Sequence, residues 1–143
     1  MLLRVLLFFL YGASFMFAIT TILLIAPYIE TKHWPVVSKM QIDRMVSLDY
    51  NKTEVYASFE KLRSCDYVGI AWYYGNRKTG FTRAPLELMR SSSDVSSPNR
   101  PLGRQSSGPW IVSIPMEEIS KNSFVELYHK CTPFWLTRTE FYP

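Results

Sequence analysis

The sequence predicts an α+β protein: one N-terminal transmembrane helix, then a small domain whose mainly antiparallel sheet packs on one helix. Three observations predict this class. Residues 5–27 form one uncharged run that is almost wholly apolar or small. A second stretch, Lys52–Ser64, places Val55, Phe59 and Leu62 at i, i+4 and i+7, along one face of a helix. Beyond it lie several runs dense in β-branched and aromatic residues, divided by Gly, Pro and Asn. A β-sandwich is the alternative architecture for the same set of strands.

Composition narrows the class further. A chain of 143 residues that is 48% hydrophobic and 20% charged holds too much apolar material for a disordered chain. Two cysteines are too few for a disulfide-dense mini-protein. A single long apolar segment excludes a multi-span membrane protein. The balance of 16 Lys+Arg against 12 Asp+Glu leaves a modest net charge of +4, scattered along the chain.

The first element spans Val5–Pro27. As a helix it reaches roughly 34 Å, enough for a hydrocarbon core of about 30 Å. It carries no polar stripe, as a soluble amphipathic helix would. A cleaved signal peptide has an apolar stretch of about 7–15 residues and small residues before the cut. Here Leu24 and Pro27 surround Ala26, a poor cleavage context, so the segment reads as an uncleaved signal-anchor. Gly12, Ala13, Ser14 and Ala18 form a small-residue patch that would let a second copy approach, so self-association through it is weighed. Arg4 and the amino terminus on one side nearly balance Lys32, Lys39 and Arg44 on the other. The short N-terminal side favours a cytoplasmic N-terminus, in an inner or plasma membrane. The C-terminal domain is then periplasmic or extracellular. Tyr28 and Trp34 fall where interfacial aromatics hold a span.

The expected divisions are the anchor over 1–27, a membrane-proximal connector over 28–38 and a globular domain over 39–143. Met40/Ile42 and Val46/Leu48 each alternate as in a strand, with a break between them. Asn51 followed by Glu54 fits an N-cap and its box partner for the helix over 52–64. Asp66–Tyr74 reads as a central strand, and Phe81–Ala84 as its hairpin return, ended by Pro85. Arg90–Pro109 holds seven serines, three prolines and two glycines and reads as a long mobile loop. Trp110–Ile114 resumes as a strand, and Pro115 opens a short helix over Met116–Ser120. Ser123–Cys131 alternates as a half-buried strand, and Phe134–Tyr142 as a last one. If strands 66–74 and 123–131 pair, Cys65 and Cys131 meet at their ends. In an oxidising compartment they form a disulfide, closing a loop worth about 4 kcal/mol.

The chemistry-bearing residues give no catalytic signature. His33 and His129 are the only histidines, with no Cys-x-x-Cys or His-x-x-x-His spacing, so no metal or cofactor is expected. No Gly-x-Ser-x-Gly elbow or phosphate loop occurs. Glu54, Glu60, Asp66, Glu117 and Glu118 are the carboxylates a membrane-tethered cell-wall hydrolase would use, and that is the alternative function. The leading expectation is a non-catalytic binding or structural role in a cell-envelope assembly, or in blocking an incoming toxin, phage or plasmid component. Its partner is a protein, not a nucleic acid. Loops on rigid scaffolds and large aromatics carry recognition, so Arg100, Arg104, Trp110 and Trp135 are the expected partner contacts.

Overall fold

A computed structural model of the chain describes residues 2–89 and 98–141. The N-terminal helix α1 runs Leu2–His33, 32 residues or roughly 48 Å, so it outruns the apolar segment by two turns. Its length and apolar character suffice to cross a membrane, and none of its most apolar stretch is buried against the domain. Thr20 and Thr21 donate their hydroxyls to the carbonyls of Met16 and Phe17 one turn back, so neither hydroxyl is left unpaired on the apolar helix.

After α1 the chain builds two four-stranded antiparallel sheets. The strands are β1 (Gln41–Asp49), β2 (Lys52–Lys61), β3 (Asp66–Asn76), β4 (Gly80–Ala84), β5 (Leu86–Leu88), β6 (Gly103–Val112), β7 (Ser123–Lys130) and β8 (Thr137–Phe141). One sheet has the order β1-β2-β6-β5 and the other β4-β3-β7-β8. A single-turn helix α2 (Met116–Ile119) links β6 to β7, as its Pro115 start suggests. The expected mixed class with antiparallel sheets is therefore found. Within the domain the layers are sheet on sheet, because the core draws Val55, Trp110 and Val112 from one sheet and Trp72, Val125, Leu127 and Phe141 from the other. Pro85 lies where the chain leaves the edge strand β4 and enters β5 of the opposite sheet.

Two sequence expectations are overturned. The helix over 52–64 is strand β2. Thr53, Val55, Ala57 and Lys61 are buried on one face, with Phe59 partly buried among them, at a period of two, and Ser58 is the one further buried residue of the strand. Thr53 and Lys61 are polar, so the apolar residues alone mimicked a helical spacing. Asn51 consequently sits in the β1–β2 turn, not at an N-cap, and Thr53 donates to the Ile114 carbonyl at 2.8 Å. The mobile loop over 90–109 is cut short by β6, a central strand paired with both β2 and β5. Its Ser, Gly and Gln residues give little hydrophobic signal, and the neighbouring backbones supply the order instead. Residues 90–97 of that loop lie outside the described residues. Gly108 has φ +113°, and a Cβ there would lie 2.6 Å from the Val55 carbonyl oxygen, at the register shift opposite Tyr56.

Other strands match or refine the sequence reading. The break within 40–48 is a bulge at Asp43 inside β1, where Asp43 Oδ1 accepts a hydrogen bond from Ser58 at 2.8 Å. Strand β3 pairs with β7, setting Asp66 opposite Lys130. Cys65 and Cys131 flank that pair and form the expected disulfide, with Cα atoms 4.6 Å apart. Strand β7 is buried on both faces over Ser123–Leu127, more than the half-buried strand expected. Arg77 is the reason. Its guanidinium lies 4.9 Å from the Phe124 ring, and Tyr73 and Phe81 pack on the same ring.

Candidate functional site

Among the described residues buried charge lies at Glu126 on β7, paired with Arg77, and at two further places that involve β2 or the short segment after it. The first is the junction with α1. Glu30, in the last turn of the helix, accepts hydrogen bonds from Arg63 Nη1 at 2.7 Å, Trp135 Nε1 at 2.7 Å and Thr137 Oγ1 at 2.9 Å. Arg63 also reaches the Trp34 carbonyl. Three donors from two separated segments thus converge on one carboxylate. Charge-assisted bonds of this kind are about twice as strong as neutral ones. The connector adds to the weld: Val36 and Val37 are fully buried, and the Val36 carbonyl accepts from Leu62 and Arg63. The helix end is fastened to the sandwich and does not swing on a flexible stalk.

The second place is a cavity of about 110 Å³ between the two sheets. Its apolar wall includes Met40, Phe59, Ile70, Leu88 and Leu127, and its polar wall is Lys61, Tyr67, Arg100, Ser107 and His129. The strand order explains why these meet. Lys61 ends β2 and points to the sheet interior, as every second residue of that strand does. His129 lies on the inward face of β7 directly opposite Tyr67 of β3, with the rings 5.9 Å apart. Lys61 is 4% exposed, and its Nζ donates to the Cys65 carbonyl at 2.9 Å. Among the described residues no carboxylate lies within ion-pair distance of it. His129 is 3% exposed, and its Nδ1 has no hydrogen-bond partner. Burial, reinforced by the Lys61 charge, holds the imidazole down to about 4, so it is neutral at physiological pH. Burial also lowers the Lys61 ammonium, against an opposing pull from Asp66.

The four expected contact residues fall in three separate places. Trp110 and Arg100 share the cavity wall. Trp110 is 9% exposed and gives its indole N–H to Ser107 at 2.8 Å, so it is a core side chain and offers no outer surface. Arg104 is exposed on β6, opposite Glu60 of β2, in a shallow depression shared with Lys39. Trp135 is half-buried at the junction, committed to Glu30. The carboxylates weighed for hydrolysis are dispersed: Glu54 and Glu60 on β2, Asp66 at the start of β3, where it accepts from Asn99, and Glu117 and Glu118 on α2.

Sequence reasoning missed Glu30, Arg63 and Lys61 as functional side chains. A signal for Lys61 was present, since Thr53, Val55, Ala57, Phe59 and Lys61 fall on one face if the segment is a strand. No family model, no curated protein and no solved structure matches this chain.

Proposed function

We propose that this is a single-pass membrane protein with a cytoplasmic N-terminus, whose disulfide-bonded domain lies outside the cytoplasm of an inner or plasma membrane. It acts by binding, with no bond made or broken, in a cell-envelope assembly or in blocking an incoming toxin, phage or plasmid component. The observation that carries this reading is the junction at Glu30. A span fastened to its domain by Arg63, Trp135 and Thr137 holds that domain at a fixed height and orientation, which suits a protein that positions a partner. The Cys65–Cys131 bridge supports the outside location, because such bonds persist in oxidising compartments. Exposed Trp34 and Phe134 near the junction suit the interfacial layer. Of the side chains weighed for partner contact, Arg104 is free to meet a protein.

Protease added to intact spheroplasts tests the orientation: digestion of the domain is expected, and protection of it overturns the reading. A photocrosslinking residue at Arg104 is expected to join a specific envelope or incoming protein, whereas one at buried Thr53 is not. Release of wall fragments by the purified chain, abolished by a single carboxylate substitution, would instead establish the hydrolase.

A further inference from the structure

The inter-sheet cavity combines features that a passive packing void does not need. Buried charges in proteins are normally paired. Lys61 is buried, lines the cavity, and its one acceptor among the described residues is a neutral carbonyl, although an ammonium has three donors. His129 is buried in the same wall with an unsatisfied ring nitrogen. Arg100 adds a permanent cation, and among the described residues no Asp or Glu lines the space. Apart from Tyr67 and Ser107 the remaining wall is apolar, with Phe59, Ile70, Leu88 and Trp110 facing the same volume. A dry apolar cavity of about 150 Å³ accommodates benzene. A volume of about 110 Å³ therefore suits a smaller body.

We propose that this cavity binds a small organic monoanion, a carboxylate on a short branched or straight apolar body of about three to five carbons. The carboxylate would neutralise Lys61 and meet Arg100, and the hydrocarbon would lie against Ile70, Leu88 and Trp110. The site is independent of how the chain sits in the membrane. An inorganic anion would leave the apolar wall unfilled, and a neutral hydrocarbon would leave Lys61 without a counter-charge.

The test uses the full chain in phosphatidylcholine nanodiscs and equilibrium dialysis against isovalerate, isoamyl alcohol and isoamylamine, three ligands that share an isobutyl group and differ in charge. Saturable isovalerate binding is expected, about tenfold or more tighter than the alcohol, with none for the amine. Lys61→Met should weaken isovalerate about tenfold or more while leaving the thermal midpoint equal or higher, because a methionine removes an unpaired buried charge. Arg100→Gln, at the half-exposed edge of the wall, should weaken it several-fold and serves if the first variant does not fold. Equal binding of alcohol and carboxylate, full binding by Lys61→Met, or no saturable isovalerate binding by the wild-type chain would each overturn the proposal.

Discussion

Arg77 offers the sharpest test of how the outer face of the β4-β3-β7-β8 sheet is held together. Glu126 of β7 and Glu140 of β8 stand directly opposite one another, an arrangement of like charges that destabilises a sheet. Arg77, in the β3–β4 turn, bridges them: its Nε donates to Glu140 at 2.9 Å and its Nη2 to Glu126. The Glu126 side chain is only 4% exposed, while that of Arg77 is 36% exposed. Removing one partner of a buried pair costs about 3–5 kcal/mol. Glu126 also keeps Arg138 at 3.3 Å and the Tyr128 hydroxyl, and Arg77 is partly screened by water. Arg77→Met should therefore cost less than that range, about 2–3 kcal/mol. Urea unfolding of the full chain in a nonionic detergent, followed by tryptophan fluorescence, measures it. Adding Glu140→Gln to Arg77→Met should recover up to about 1 kcal/mol, because the repulsion then vanishes. A loss below about 0.5 kcal/mol, or no recovery from Glu140→Gln, would refute the bridging role.

Further outcomes follow from the other buried groups. Cys65→Ala/Cys131→Ala should lower stability by up to about 4 kcal/mol, since the bond joins residues 66 apart, and denatured unreduced wild type should show no reactive thiol. His129 has a folded pKa of about 4, below its unfolded value near 6.5, so it contributes stability that is complete above about pH 6.5 and is lost as pH falls toward 4. That slope, about 3 kcal/mol at most, should flatten in His129→Phe when unfolding is followed between those pH values. Glu30→Ala strands the donors of Arg63, Trp135 and Thr137, at a cost of about 2–3 kcal/mol, and hydrogen exchange should rise first in β8. Unchanged exchange in β8 would show that the junction does not hold it.

Patterns confined to a few neighbouring residues were legible in the sequence. The apolar run of α1 needs no partner to be recognised, because its length and apolar character alone suffice to cross a membrane. Strand β3 is dense in β-branched and aromatic residues, the β3–β4 hairpin has its turn residues, and β7 alternates. From the pairing of those two strands the meeting of Cys65 with Cys131 followed. Tertiary structure decided whatever depended on residues far apart. β2 is a strand because β1 and β6 supply its hydrogen bonds on both sides, while its own buried Thr53 and Lys61 hide the alternation. β6, poor in apolar side chains, is ordered by the backbones of β2 and β5. Glu30 becomes a junction only when Arg63, Trp135 and Thr137 arrive from more than thirty residues away. The cavity exists only where the two sheets face each other and bring Lys61 against His129. A buried charge looks like any surface charge in a sequence, because its surroundings are set by segments that fold over it from elsewhere in the chain.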